Sequence, residues 1–293
     1  MRKLKVAAYE MRHAVRDKLF RNNQPLAVNL RYAKYQAEVR KGWKPNGISA
    51  GDTALAQQFQ KDGYIVLPPP QTLDGDGLAR QTDDAFAVPA NRYTIMDGLF
   101  RMIDGVERIP SVADVFDAQM EQVLESYYQS HFKIFGIYFY RTLPTPSKPQ
   151  SSFLWHLDNC PGPEIKLMVY LDNVVEDTGA FRLKKKSLSD DIRAKGFRNR
   201  SQIQRVQADL ENGATTDVIE GPPGTRILFE NGQVLHKATS PLREHRDVVT
   251  FVIIPSDVPW RAHFARNRHL LSTNAGACID PWTDRPQHVG YGH

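Results

Sequence analysis

The 293-residue chain is short of cysteine and of long apolar runs, and each shortage excludes a class of protein. Two cysteines, Cys160 and Cys278, cannot build a disulfide framework, and without CxxC spacing they argue against structural zinc. A reducing cytoplasm suits them. No apolar stretch approaches the roughly 18 residues that a membrane-spanning helix needs. The basic N-terminus has no apolar signal core either, because Lys5 interrupts Leu4 to Tyr9 and Glu10 follows. Internal repeats and low-complexity linkers are absent. So is any run of aromatics interleaved with Lys and Arg, and no nucleic-acid partner is expected. What remains, 41% hydrophobic and 24% charged, is ordinary globular composition.

Charge is unevenly placed. Residues 1 to 44 carry +9 within a total of +5, which leaves the body at −4. Leu4, Ala7, Ala8, Met11, Val15 and Leu19 recur at three- and four-residue steps, so Leu4 to Phe20 reads as an amphipathic helix with a basic face. Such a helix packs on its own domain or lies on an anionic membrane surface. A basic arm on a mildly acidic body points to an anionic partner, a small molecule or a glycan, and the lysine run 184–186 points the same way unless it is a solvated face.

Helical signals concentrate before residue 131. Thr53 to Lys61 reads as a helix that stops at Gly63. Tyr64-Ile65-Val66-Leu67 is a strand halted by Pro68-Pro69-Pro70, and Ser111 is placed to cap a helix running to Ser130. Beyond residue 132, short strands are predicted at 132–141, 153–158, 165–171, 179–183, 215–219, 225–230 and 247–254, with Gly and Pro clusters between them. This pattern predicts a mainly β fold, a sandwich or jelly roll with N-terminal helices packed around it. The expected organisation is a helical extension over 1–48, a catalytic β domain over 49–260, and a tail or lid over 261–293. Residues 184–213 read as a polar surface insertion.

In Trp155-His156-Leu157-Asp158, strand alternation sends His156 and Asp158 to one side and Leu157 to the other. His236, after an apolar strand and the Gly232 turn, offers a third ligand. Two histidines and one carboxylate on one face of an octahedron are the arrangement that non-haem iron(II) oxygenases use. Nine His and 22 Asp in 293 residues give about one His-x-Asp triplet by chance, and a second does occur, His245-Arg246-Asp247. That triplet lacks a third ligand in a clear strand downstream.

Arg246 opens a run apolar enough to be a central buried strand, so its guanidinium enters the core. A buried arginine needs an anion, and its planar fork fits a carboxylate. The distal carboxylate of 2-oxoglutarate would serve, as would a structural ion pair with Asp247 or Glu244, and Arg243 is a substitute for the same task. Tyr138 and Tyr140, alternate residues of one strand, are candidates to line the co-substrate pocket or are simply core. Asn159 and Lys166 are weaker candidates.

Taken in order, Phe59 with Asp62-Gly63-Tyr64-Ile65-Val66, then Trp155 to Asp158, Lys166 to Leu171, Thr178 to Leu183, Gly221 to Phe229, His236 and Arg246 resemble the phytanoyl-CoA dioxygenase-like branch of the iron(II)/2-oxoglutarate oxygenases. The resemblance covers about residues 52 to 256. Lys185-Lys186-Ser187-Leu188 departs from the family's frequent Gly-Ser-His turn, and Ala238 stands where many members have Ser or Thr. The resemblance implies a double-stranded β-helix that uses iron(II), 2-oxoglutarate and dioxygen, with ascorbate as an optional reductant. It implies hydroxylation of a C–H bond coupled to formation of succinate. Asp158 argues against halogenation, which needs a small residue at that position. Hydroxylation of the Kdo sugar of lipopolysaccharide by similar oxygenases would suit a basic arm at the inner face of a membrane. A jelly-roll binding protein without catalysis is the alternative of a different class.

Overall fold

The computed structural model describes residues 26–44, 50–158, 164–197, 203–204, 206–272, 277–279 and 286–288. The basic helix expected at Leu4 to Phe20, and Asn159, lie outside them. Among the described residues, no helix is long and apolar enough to cross a membrane.

Helix α1 (Leu26–Val39) lies against the domain: Tyr32 and Val39 are buried, the Tyr35 hydroxyl donates to Pro255 O at 2.9 Å, and Arg40 Nε donates to Tyr128 O at 2.8 Å. This second part of the basic segment is therefore docked. Helix α2 (Ala50–Asp62) buries Ala56 and Phe59 and hands over at Gly63 to strand β1 (Tyr64–Leu67), as the sequence predicts.

Helix α3 (Gly75–Ala87) follows, capped by the Asp74 carboxylate, which accepts from Gly77 N at 2.8 Å. Strands β2 (Arg92–Met96) and β3 (Leu99–Met102) then form a hairpin about Asp97-Gly98. The short α4 (Gly105–Arg108) precedes α5 (Ala118–Tyr128). The helix expected from Ser111 is shorter and starts later. Pro110–Val115 is a 3-10 turn, and Asp117, not Ser111, caps α5 by accepting from Met120 N at 2.9 Å. It buries Met120, Val123, Leu124 and Tyr128.

The remaining strands are β4 (His131–Thr142), β5 (Ile165–Tyr170), β6 (Phe181–Leu183), β7 (Asp217–Ile219), β8 (Arg226–Phe229), β9 (His236–Lys237) and β10 (Arg246–Ser256). They make two sheets, a seven-stranded one in the order β1-β8-β5-β10-β4-β3-β2 and a three-stranded one in the order β7-β6-β9, with every pairing antiparallel. The segment predicted as a strand over 153–158 is a 3-10 turn (Ser151–Phe153) followed by a single bridge from His156 to His236.

Alternation decides what each face of the long sheet meets. Val249, Phe251 and Ile253 of β10 point out, into a core shared with Phe86, Phe116, Leu124 and Trp260 of the helices. Val248 points in and meets Tyr170, Phe181, Leu183, Phe229 and Val234 between the sheets. Burying side chains of this size stabilises by about 1.5–3 kcal/mol each. Because the period is two, a register slip of one residue would exchange Arg246, on the inner face, for Asp247 on the outer one.

Two segments differ from their predictions. Residues 184–213 are not merely a polar insertion: α6 (Lys186–Ala194) and α7 (Gln207–Leu210) carry a small core of Ile192, Phe197, Val206 and Leu210 beneath Trp155 and Leu235. The lysine run is not an open cationic face either. Lys184 is fully buried, donating to Thr216 Oγ1 at 2.8 Å and Thr215 Oγ1 at 3.1 Å, and Lys186 pairs with Glu230 at 2.6 Å. In the C-terminal segment, α8 (Trp260–Ser272) packs on β4, and the strands β11 (Ala277–Ile279) and β12 (Pro286–His288) pair with each other.

Candidate active site

His156 and His236 are held by each other's main chain. His156 N donates to His236 O and His236 N donates to His156 O, both at 3.1 Å, which brings the two rings to a centroid separation of 4.2 Å. Asp158 is placed by its own backbone N–H, which donates to Asn231 O at 2.8 Å. Ligand atoms of the three side chains lie within 4.8 Å of one another. His156 Nε2 is 3.6 Å from Asp158 Oδ1, and His236 Nε2 is 3.7 Å from Oδ2.

The ring orientations follow from what the other nitrogens touch. His156 Nδ1 is 2.8 Å from Leu154 O and His236 Nδ1 is 2.8 Å from Val234 O. A carbonyl only accepts, so each Nδ1 carries the proton, and each Nε2 presents its lone pair toward Asp158. This is the tautomer a metal ligand requires. Burial alone would raise the Asp158 pKa, but the charge of Lys166 beside it outweighs that penalty and holds the carboxyl below its usual range. Lys166 Nζ donates to Asp158 Oδ2 at 2.5 Å, and Asn231 Nδ2 donates to the same oxygen at 3.2 Å. Lys166 is thus the partner of Asp158, a more specific place than the co-substrate contact considered from sequence.

Glu164 joins this network through Asn231 Nδ2, which is 2.7 Å from Glu164 Oε1. Burial pushes its carboxyl from 4.5 up to about 7, against the pull of Lys166 and Asn231. A pKa raised on folding gives stability that is complete below the unfolded value and lost as pH rises through the folded one. Metal-free protein should therefore lose thermal stability between about pH 4.5 and 7. Glu164→Gln should flatten that limb in a melting series taken in chelator, and an unchanged slope would show that the loss arises elsewhere.

Arg246 is the second centre. It is buried, and burial lowers its pKa. Nη1 donates to Gly179 O at 2.5 Å and Thr239 O at 3.2 Å, and Nη2 to Thr142 Oγ1 at 3.4 Å, while Nε has no partner among the described residues. The ion pairs considered from sequence do not form. Asp247 is bound instead by Arg141, directly across the strand pair, at 2.8 and 2.5 Å, and Arg243 is exposed beside Asp177. His245 and Asp247 do gather with Asp83, but Arg141 also reaches Asp83 at 2.5 Å and so already supplies a cation to that second cluster.

Gly179 makes the Arg246 contact geometrically possible. Its φ is +93°, and a Cβ there would meet Thr239 O, the other carbonyl that holds Nη1. Gly179→Ala should lower Tm by at least about 2 °C and weaken whatever anion Arg246 binds, because both carbonyls that orient the guanidinium move. Equal Tm and equal anion affinity in the variant would contradict this.

One cavity of about 820 Å³ contains all seven site residues identified from sequence: His156, Asp158, His236, Arg246, Tyr138, Tyr140 and Lys166. Arg246, Val248 and Thr250 line it from β10, Tyr138, Tyr140 and Thr142 from β4, and Lys166 and Met168 from β5. Tyr93 and Arg101 line it from the β2–β3 hairpin and were not anticipated, although Asp97-Gly98 between β-forming residues is the hairpin signal that marks them. A metal held by the three clustered side chains and a dianion reaching to Arg246 would share this space.

Solved structures with the same architecture include the epimerase SnoN in complex with Fe3+, alpha ketoglutarate and nogalamycin RO, at 17% identity, covering 83% of this chain and 96% of that one, with a TM-score of 0.52. EctD from S. alaskensis with 2-oxoglutarate and 5-hydroxyectoine matches at 18% identity, covering 84% of each chain, with a TM-score of 0.51. The carbocyclase SnoK from nogalamycin biosynthesis matches at 11% identity over 76% of this chain and 93% of that one, with a TM-score of 0.51. This chain has the jelly-roll fold of the non-haem 2-oxoglutarate enzymes. No family model and no curated protein matches the sequence. Arg246 stands on β10 of the long sheet, whereas the His156–His236 bridge joins β9 of the short one.

Proposed function

We propose that the protein is an iron(II)- and 2-oxoglutarate-dependent dioxygenase that hydroxylates a C–H bond and releases succinate. One observation carries the reading: a two-histidine, one-carboxylate cluster and a buried arginine that, among the described residues, is bonded to carbonyl and hydroxyl oxygens and to no carboxylate line the same cavity. The donor set fits iron(II), since both imidazoles carry the ligand tautomer, Asp158 is ionised, and the three ligand atoms lie within 4.8 Å of one another. The bound iron would supply the dioxygen chemistry, and the protein's task is to position and protect.

Each residue then has a defined task. His156, Asp158 and His236 hold the metal. Lys166 and Asn231 keep Asp158 ionised and oriented, and Arg246 takes the far carboxylate of 2-oxoglutarate through its fork. Tyr138 and Tyr140 form the wall beside it. For the substrate we favour an anionic small molecule or glycan, a sugar acid such as Kdo being one instance, within the phytanoyl-CoA dioxygenase-like branch that the sequence resembles.

The test is anaerobic addition of iron(II) and 2-oxoglutarate to metal-free protein, followed by admission of air. A weak visible absorption band, followed by succinate, is expected. Folded protein that gives neither overturns the reading and leaves a jelly-roll binding protein.

A further inference from the structure

We propose that Asp172 regulates the co-substrate site: its carboxylate holds the peptide group that follows Arg246, and its gain or loss of a proton sets how strongly Arg246 attracts the far carboxylate of 2-oxoglutarate. The proposal rests on the functional reading above, in which Arg246 binds that carboxylate.

Geometry places the residue. Strand β5 ends at Tyr170, opposite Val248, and the chain runs on beside the start of β10. There Leu171 N donates to Asp247 O at 3.0 Å, and Asp247 N donates to Asp172 Oδ2 at 2.9 Å. The second bond grips the amide that joins Arg246 to Asp247. Strand alternation sends these two side chains to opposite faces. Arg246 enters the cavity, while Asp247 meets Arg141 of β4, which binds both its oxygens and also reaches Asp83 of α3 at 2.5 Å. Among the described residues, Asp172 is the carboxylate of this cluster that no guanidinium binds. Its Oδ1 is buried and has no hydrogen-bond partner among them. His245 Nε2 stands 3.9 Å from Oδ2 but nearer to Asp83, at 3.2 Å, and to Asp247, at 3.5 Å. The charged and titratable groups facing Asp172 are thus Arg141 and Asp83 on one side and His245, Arg246 and Asp247 on the other.

Charge gives the consequence. Burial and the Asp247 charge push the Asp172 carboxyl from 3.8 up to about 7, against the pull of the Asp247 N–H, Arg246 and Arg141. Its proton therefore comes and goes near neutral pH. Ionised Asp172 interacts with the buried Arg246 guanidinium and opposes a second carboxylate arriving there. Protonated Asp172 leaves that positive charge to the ligand. Affinity for 2-oxoglutarate should be highest below the Asp172 pKa and fall as pH rises through it. By reciprocity, binding the dianion takes up protons.

The experiment uses full-length protein with zinc in place of iron, titrated calorimetrically between about pH 6 and 8. The ligands are 2-oxoglutarate and 2-oxovalerate, which has the same chelating end and no far carboxylate. The ratio of the two affinities removes what protonation at the metal ligands contributes. In wild type this ratio should fall about threefold or more across the range, and 2-oxoglutarate, unlike 2-oxovalerate, should take up protons near neutral pH when buffers of different ionisation enthalpy are compared. Asp172→Asn keeps an acceptor for Asp247 N and is uncharged at every pH, so its ratio should stay high and flat. His245→Gln should keep the wild-type slope. A flat ratio or no proton uptake in wild type overturns the proposal, as does a slope that persists in Asp172→Asn or vanishes in His245→Gln. Wild type that prefers 2-oxoglutarate over 2-oxovalerate at no pH overturns the Arg246 reading beneath it. The iron absorption band separates the two levels: it persists if only the Asp172 proposal is wrong and is missing if the metal reading is wrong.

Discussion

His156→Ala and His236→Ala will each lack the visible absorption band that wild type develops with iron(II) and 2-oxoglutarate, and each will form no succinate. Both imidazoles present Nε2 toward Asp158, at 3.6 and 3.7 Å, so removal of one leaves a single imidazole and a carboxylate. Losing a partner of a ligand already costs 10- to 100-fold in metal affinity, and losing a ligand itself should cost more than about 100-fold. The fold should survive, because the bridge between the two segments is made by main-chain N–H and C=O groups that alanine retains. Each variant loses the Nδ1 hydrogen bond, and His236→Ala also loses packing against Phe229 and Phe181, a cost of about 1–3 kcal/mol. Metal titration beside a melting curve separates loss of the site from loss of the protein. A band of wild-type intensity in either variant would remove that histidine from the centre.

Arg246→Ala should keep the metal and lose the co-substrate. Truncating one partner of a buried, hydrogen-bonded charge pair costs about 2–5 kcal/mol, so the 2-oxoglutarate concentration that half-saturates the band should rise on the order of 10²- to 10³-fold. Arg246→Lys should recover only part of this, since an ammonium cannot make the two parallel bonds of the fork. Iron affinity measured without 2-oxoglutarate should change little. A half-saturation within threefold of wild type would mean that another cation, Arg101 foremost, holds the dianion.

Most of this centre was legible because β-strand alternation is a strong rule. His156 and Asp158 share a side whatever the local pairing, and the apolar run from Val248 to Ile254 could only be a central strand, which forces Arg246 inward. The site survived even an incorrect local assignment, since Trp155 to Asp158 is a single bridge rather than a strand. What escaped notice had weak or misleading patterns. Helix α8 buries Trp260, His263, Asn267 and Leu271, and two polar residues in that stripe hide its helical period. The hairpin that carries Tyr93 and Arg101 alternates poorly, with Thr94 and Ile95 both exposed. Lys184 reads as surface by composition, and only the fold brings Thr215 and Thr216 round to satisfy it.

The two histidines are joined to the short sheet through β9, whereas Lys166 and Arg246 belong to the long one. A dianion bound to the metal at one end and to Arg246 at the other would act as a tie beam across the sandwich. Iron and 2-oxoglutarate should then each raise the other's affinity by the same factor, and the doubly loaded protein should melt higher than the two separate increments predict. Conversion of the beam to the shorter succinate would slacken it, so each turnover would end with the walls less tightly braced and the way out open.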